Sequence, residues 1–204
     1  MKKLGLKWLS YNYEFPVKTE PQWKDLVQRW YQLDAYAFGL VEASTRWKDS
    51  LSTPDLIILA SPTASNETDK LFAEKGAFSP AHFAHTLPNI RCSPLCQVMK
   101  WSGPVLCVQR DPSSQIQGLK EGFELLGQEF PVIWILSVFK RSDQYSAHCF
   151  QLSESTENLE FQKTNALDAN KRKSDKDLHN FLSTGAKSSV FDFGAYEIKR
   201  RGLS

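Results

Sequence analysis

The sequence predicts an α/β protein with a mixed, largely parallel sheet, and three observations lead to this prediction. Apolar runs of strand length occupy residues 54–63, 104–109 and 131–140, with segments of helical periodicity between them. The short linker "RSDQ" joins the third run to a fourth, residues 144–152, as in a hairpin. Strands that alternate with helices run parallel, and the hairpin adds an antiparallel pair.

Composition sets the broad class of the protein. A chain of 204 residues can bury a sizeable core, so we expect a single domain over 1–204. The net charge of +2, without a basic helix that carries interleaved aromatics, predicts no nucleic-acid partner. No apolar run approaches the length of about 20 residues that a membrane helix needs, and "MKKLGLKWLSYNYE" lacks the apolar core of a signal peptide. Four cysteines form no disulfide framework here, which favours a cytoplasmic location.

The N-terminal third predicts a strand followed by a long helix. Residues 4–13 alternate between apolar and polar side chains and predict an edge strand or an entry strand of the sheet. A capping box of Thr19 and Gln22 predicts that the helix starts there and runs to about residue 47. Its apolar face comprises Trp23, Leu26, Trp30, Leu33, Ala37 and Leu40. Further on, "RCSPLCQVMKW" predicts a shorter helix beyond Pro94.

Residues 102–126 form the pattern of a strand, a sharp turn and an amphipathic helix. This arrangement presents a nucleophile in many acyl-transfer enzymes, because the N–H groups at a helix N-terminus stabilise an anion. The turn itself reads Arg110-Asp111-Pro112 and offers no hydroxyl or thiol before Ser113. Capping by Ser114 with Gln117 would explain the serines there without chemistry. The buried face of the helix is predicted to comprise Ile116, Leu119, Phe123 and Leu126.

The C-terminal quarter changes character. Residues 153–188 are polar, with acidic and basic stretches, and predict a mobile surface segment that contains one helix near residues 178–182. The stretch "SSVFDFGAYEIKRR" then returns to the alternation of strands. The sequence shows no internal repeat.

Cysteines and histidines are the candidate reactive groups, but their placement favours packing. Cys92 and Cys96 lie one helical turn apart, with His82 and His85 nearby, yet no second cysteine pair completes a zinc site. We therefore predict no metal and no cofactor. Cys107 lies in mid-strand, where its thiol is expected to point into the packing of the sheet, and His148 and Cys149 must face opposite sides of their strand. No Gly-rich phosphate loop and no G-x-S-x-G element is present.

The landmarks "DLIILASPT", "FSPAHFAHTLPN" and "SGPVLCVQRDPSSQIQGLKEGFELL" resemble the N-terminal half of a β-ketoacyl synthase, the condensing enzyme of fatty acid and polyketide synthesis. Leu87-Pro88-Asn89 and Gly103-Pro104 stand at the family's separation, and the resemblance spans about residues 50–152. It implies a thiolase-like αβα layered fold, present here as a single ketosynthase-like half, and dimerisation through the strand before the turn. The interface residues that it implies are Phe83, Leu87, Val105, Leu106 and Val108.

The departures from the family are as informative as the matches. The family's nucleophilic cysteine should fall at about Pro112, and its later histidines come from a C-terminal half that this chain lacks. The elbow Arg110, Asp111, Pro112 and Ser113 therefore resembles a degenerate active site with no catalytic residue. The resemblance implies a chain-length-factor type of subunit, as in aryl polyene and polyketide systems. Its partners would be a full-length active ketosynthase or a second copy, with an acyl carrier protein as a further partner.

Two other hypotheses stay open at this point. The first is an autonomous acyltransferase or hydrolase that uses Cys107, Cys149 or Ser113 with His85 or His148. The second is a stand-alone module that binds an acyl chain or an acyl carrier protein. Neither hypothesis has a sequence motif of its own.

Overall fold

The computed structural model describes residues 3–61, 73–74, 90–110, 112–127, 129–141, 144–154, 159–164, 173–183 and 190–200. Within these residues the chain forms an eight-stranded mixed sheet with helices on both faces. The strands are β1 (Lys3–Tyr13), β2 (Leu56–Ser61), β3 (Val105–Gln109), β4 (Val132–Arg141), β5 (Gln144–Ser153), β6 (Leu159–Lys163), β7 (Val190–Asp192) and β8 (Tyr196–Arg200). The helices are α1 (Ala35–Trp47), α2 (Ser93–Met99), α3 (Ser114–Leu125) and α4 (Asp175–Ser183).

The strand order is β3-β2-β4-β5-β1-β6-β8-β7. Strand β2 pairs in parallel with both β3 and β4, whereas the other described pairings are antiparallel. The predicted mixed sheet and the β4–β5 hairpin are confirmed, but the expectation of a largely parallel sheet is wrong. Strand β1 lies inside the sheet between β5 and β6 and not at its edge, and the C-terminal strands β6, β8 and β7 add further antiparallel pairs beyond it.

Alternation along the strands sends side chains to two separate cores. One core lies between the sheet and helices α1 and α2, and includes Ile57, Leu59, Trp134, Leu136 and Cys149. The other lies under α3 and α4, and includes Ile58, Ile133, Ile135, Phe150 and Leu152. The chain is thus a three-layered αβα protein, and each central strand contributes to both cores.

The prediction that the N-terminal helix starts at Thr19 is wrong. Short 3-10 turns occupy Lys24–Leu26 and Trp30–Gln32, and α1 begins only at Ala35. Arg29 adopts a left-handed conformation, with φ of 60°, that no helix could continue through. The apolar face is also interrupted, since 56% of the Leu26 surface is exposed.

Helix α3 packs unusually close to the sheet, and two glycines make this possible. A Cβ atom at Gly118 would lie 2.9 Å from the Ile135 Cγ2 atom, and one at Gly122 would lie 2.8 Å from the Leu152 Cδ1 atom. A larger residue at either position would force the Ile135 or Leu152 side chain, or the helix itself, to move. The predicted apolar face of this helix is confirmed, because Ile116, Leu119, Phe123 and Leu126 are all buried.

The described parts of segment 153–188 include a strand and a helix. Strand β6 pairs with both β1 and β8, and helix α4 contains the stretch near residues 178–182 where a helix was predicted. Leu178, Phe181 and Leu182 are buried, so the expectation of a polar surface segment is wrong for this helix. No helix in the described part of the chain is long and apolar enough to cross a membrane.

Candidate functional site

The elbow between β3 and α3 is the first feature that the sequence singles out. The Ser113 N–H donates to the Arg110 carbonyl over 2.8 Å and closes a tight turn before the helix. The Arg110 Nη1 atom donates to Gln117 Oε1 at 3.0 Å, which folds this cation back along α3. Asp111 lies outside the described residues. Pro112, the position expected for a nucleophile, is exposed on the turn.

The predicted cap of α3 by Ser114 and Gln117 is wrong. The Ser114 hydroxyl donates to the Arg110 carbonyl, and the Gln117 amide nitrogen donates to Glu121. The free N–H groups of the first turn are bound instead by Asp175, the first residue of α4. A cap from a residue about 60 positions away in sequence leaves no local pattern for sequence analysis to detect.

The Asp175 carboxylate binds the start of α3 with both of its oxygens. Oδ2 accepts from the Gln115 N–H at 3.0 Å and Oδ1 accepts from the Ile116 N–H at 3.1 Å. The Asp175 N–H donates in turn to the Pro112 carbonyl at 2.9 Å. Only 4% of the Asp175 surface is exposed. A carboxylate in this position is stabilised both by charge-assisted hydrogen bonds and by the dipole of α3.

A second set of contacts joins the same two helices to the sheet. The Gln115 side chain is fully buried, and its amide nitrogen donates to the Ser137 hydroxyl of β4. Its amide oxygen therefore faces His179 of α4 and accepts from Nε2 over 2.6 Å. The His148 ring of β5 meets the His179 ring edge-on, with 4.0 Å between the ring centroids. Sequence analysis singled out His148 but missed Gln115, Ser137 and His179.

Aromatic side chains enclose the two histidines. Trp8 stacks on His148, with 6.2 Å between the ring centroids, and presents an edge-on contact to His179. Phe139 contacts both histidine rings edge-on at 5.8 and 5.5 Å. Both histidines are less than a tenth exposed, so a substrate would reach them only after α4 had moved. The arrangement is suited to holding two helices in place more than to proton transfer with a ligand.

The structure separates one proposed nucleophile, Cys149, from His148. Cys149 lies in the core under α1, on the opposite face of the sheet from His148, as the alternation predicted. Burial raises the pKa of the Cys149 thiol and keeps it protonated at neutral pH. Ser113 precedes α3 and its hydroxyl caps nothing. His85 lies outside the described residues.

Strand β3 forms one edge of the described sheet, beyond β2. Leu106 is 37% exposed and Cys107 is exposed as well, so the expectation that Cys107 points into the packing is wrong. The physical reason is that a strand at the edge has a neighbour on one side only. Partial desolvation still raises the pKa of the Cys107 thiol, which disfavours the reactive thiolate.

Val105 and Val108 are half-buried on the same edge strand. The two other predicted interface residues, Phe83 and Leu87, lie outside the described residues, as do His82 and the Leu87-Pro88-Asn89 motif. The interface therefore stays a prediction, now located on an open strand with an apolar centre.

Cys92, which directly precedes α2, and Cys96 within α2 behave as packing residues. Cys92 is buried and Cys96 is half-buried against the core under α1. Desolvation raises the pKa of both thiols. Among the described residues, no cluster of three or more histidine, cysteine or acidic side chains could hold a metal ion.

A cavity of about 610 Å³ lies on the face of the sheet opposite α3, between the end of β1 and α1. Trp23 and Phe38 line it with the Glu42–Arg46 ion pair, whose closest N–O distance is 2.7 Å. Trp23 also donates to Glu42 over 2.8 Å, so this carboxylate is bound from two sides.

The three layers, the strand order and the elbow before α3 define a thiolase-like ketosynthase fold. One solved structure with this fold is the complex of a ketosynthase (ApeO) with its chain length factor (ApeC) from Xenorhabdus doucetiae. The match has a TM-score of 0.67 and covers 98% of this chain and 100% of that chain. The sequence identity is 14%, so the likeness concerns the fold. No family model matches this sequence, and no curated protein matches it.

Proposed function

We propose that this chain is a non-catalytic, ketosynthase-like subunit of the chain-length-factor type that pairs with an active β-ketoacyl synthase during acyl-chain elongation. The observation that carries the proposal is that β3 pairs on one side only among the described residues and leads directly into an elbow whose nucleophile position is Pro112. The fold likeness to a ketosynthase complex supports it. The carboxylate of Asp175, fixed where an active elbow would stabilise an anion, supports the absence of chemistry.

The edge strand gives the pairing a physical basis. An edge strand presents unpaired N–H and C=O groups, and soluble proteins cover such edges or protect them with charge. Strand β3 has no charged side chain between Val105 and Gln109, and its most exposed apolar residue, Leu106, is near its centre. A partner strand would pair these backbone groups and cover this apolar surface.

Co-purification tests the pairing. A full-length ketosynthase from the same source, expressed together with this chain, is expected to purify with it at equal stoichiometry. The Leu106→Lys variant should lose the partner, because a lysine in a strand interface must be desolvated without a counter-charge. Tyr31→Lys is the matched control, since Tyr31 is 68% exposed and lies outside β3. Retention of the partner by Leu106→Lys would place the interface elsewhere.

Self-association is the alternative use of the same edge, and Cys107 distinguishes the two cases. Cys107 is the central residue of β3, so two antiparallel copies paired symmetrically would bring their Cys107 residues opposite each other. Residues opposite each other in an antiparallel pair are close enough to form a disulfide, here on oxidation by oxygen with a copper–phenanthroline catalyst. A covalent dimer that disappears in Cys107→Ser would show a homodimer, whereas a ketosynthase partner should prevent the cross-link.

The finer points of role follow from the same proposal. We infer a cytoplasmic subunit that forms one domain over residues 1–204 and serves fatty acid, polyketide or aryl polyene synthesis together with an acyl carrier protein. Genes for a ketosynthase and a carrier protein beside the gene for this chain would support that role. Incubation with an acyl thioester should leave the intact mass unchanged, and stoichiometric acylation of Ser113 or Cys107 would contradict a non-catalytic subunit.

A further inference from the structure

We propose that the backbone groups of Val105, Cys107 and Gln109 are the part of β3 that binds a β-strand of the ketosynthase partner. This inference rests on the proposed function and adds which atoms of β3 make the contact. It follows from the way in which β3 is bonded to its neighbour β2.

The bonds between β2 and β3 show which backbone groups of β3 are engaged. The Ile57 N–H donates to the Pro104 carbonyl at 3.2 Å, in the register that places Ile57 beside Val105. In a parallel ladder with this register, the N–H and C=O groups of every second residue of β3 point to β2. Leu106 and Val108 therefore face β2, as the Pro104 carbonyl does. The residues whose groups face away from β2 are Val105, Cys107 and Gln109.

The outward groups of β3 form a complete set for a further strand. They make no hydrogen bond within the described part of the chain, where β3 is paired on its β2 side only. Pro104, which lacks an N–H, faces β2, so the outward side keeps a donor and an acceptor at each of its residues. The strand carries no charge between Val105 and Gln109 that would repel an incoming strand. A β-strand is the occupant that pairs all of these groups at once.

The side chains of β3 define the kind of strand that fits. Val108 packs against the core under α3, and by alternation Leu106 points to the same face, whereas Val105 packs against the core under α1. Cross-strand neighbours on one face contact each other, so the partner strand should carry apolar side chains opposite Leu106 and Val108. The far edge of the described sheet is a poor match, because β7 has three residues and ends at the exposed Asp192.

Cys107→Pro tests the outward groups without removing a bond to β2. Proline deletes the N–H of residue 107 and places its ring where the partner strand would lie, and edge strands accept proline at such positions. We expect the Kd for a full-length ketosynthase from the same source to rise by about 100-fold or more, because a donor is lost and a partner carbonyl stays unpaired. Cys107→Ala is the matched control: it keeps the N–H, so its Kd should stay within about threefold of wild type.

The outcomes separate this inference from the proposed function. If wild type, Cys107→Ala and Cys107→Pro all bind the ketosynthase equally well, the outward groups are not the contact and the proposed function still stands. If the wild type itself does not bind, the proposed function is contradicted and this inference with it.

Amide exchange in the wild-type chain is a second measurement, and it does not depend on the folding of a proline variant. In the dilute, monomeric chain the three outward amides should exchange within about tenfold of the rate in an unstructured peptide. The inward amides of Leu106 and Val108 should be at least about 100-fold slower, because they are bonded to β2. Bound ketosynthase should slow the outward amides to a similar degree. Slow outward amides in the monomer, or no change on binding, would overturn the proposal.

Discussion

The starts of α1 and α3 are both bound by a buried or half-buried carboxylate, but from different distances along the chain. Helix α1 is capped by its own N-cap residue, Asp34, which accepts from the Ala37 N–H at 2.7 Å. Helix α3 is capped by Asp175, about 60 residues further along. The local cap fixes where a helix begins, whereas the distant cap also fixes where a second helix lies. Only the second kind ties the elbow to the C-terminal part of the chain.

Asp34 caps α1 and also pairs with a buried arginine, so we expect its removal to cause the largest loss of stability. Asp34 Oδ2 lies 3.1 Å from the Nε atom of Arg91, and the Arg91 side chain is only 2% exposed. Asp34→Ala removes the cap and leaves a buried guanidinium without this counter-charge. We expect a loss of about 4 kcal/mol in the free energy of unfolding, measured in urea.

A double variant separates the helix cap of Asp34 from its ion pair with Arg91. Adding Arg91→Met should recover part of the loss, since the buried charge is then gone and only the cap is missing. The control is Arg46→Met, which breaks the largely exposed ion pair with Glu42 and should cost about 0.5 kcal/mol. Additive losses in the Asp34 and Arg91 variants would show that the two residues do not interact.

The next largest loss in the free energy of unfolding is expected from the hydrogen-bond network beneath α3. Gln115→Met fills a similar volume but removes the bonds to Ser137 and His179 inside the core. We expect a loss of about 2 kcal/mol in the free energy of unfolding, because buried polar partners lose a bond without access to water. Gln117→Met is the matched control, and a loss below about 0.5 kcal/mol is expected there, since Gln117 is only half-buried. Equal losses at the two positions would show that the network adds nothing.

A third helix start sharpens the comparison, because α4 has a local cap. Ser174 and Asp177 form a capping box, in which the Asp177 carboxylate accepts from both the N–H and the hydroxyl of Ser174 at 2.8 Å. These bonds lower the pKa of Asp177. A lowered folded-state pKa gives stability that is present at neutral pH and is lost as the pH falls below about 4.

Asp177→Ala should therefore lower the free energy of unfolding by about 1 kcal/mol at pH 7. This loss is smaller than the one expected for Asp34→Ala, because the cap of α4 is exposed and screened by solvent. The difference between variant and wild type should shrink as the pH is lowered to about 3. Urea unfolding at both pH values measures it. A difference that grows on acidification would contradict the direction of the pKa shift.

Sequence periodicity was sufficient for much of the fold. The buried strands, the hairpin and the apolar face of α3 were predicted because their side chains repeat with the period of the element that carries them. The start of α1 was not, since apolar residues before Asp34 continue the helical spacing although the backbone does not. Strand β6 was missed, and the buried face of α4 was not expected, because charged neighbours dominate the composition of that segment.

The candidate site was predicted only in outline. The elbow was found from local signals, and so was the open strand before it, although Cys107 was expected to be buried. Asp175 and His179 were missed because their contacts to α3 span about 60 residues, and no spacing rule reaches that far. A single sequence gives no record of which distant residues meet.

The position of β3 at the edge of the described sheet also bears on how the chain behaves outside its assembly. A short apolar strand with free backbone groups is a template for pairing with any other unprotected strand, which is a route to aggregation. We therefore expect the chain to aggregate more readily at high concentration when it is produced alone than when it is produced with its partner. Leu106→Lys should make the solitary chain more soluble, since the charge that prevents assembly also protects the edge.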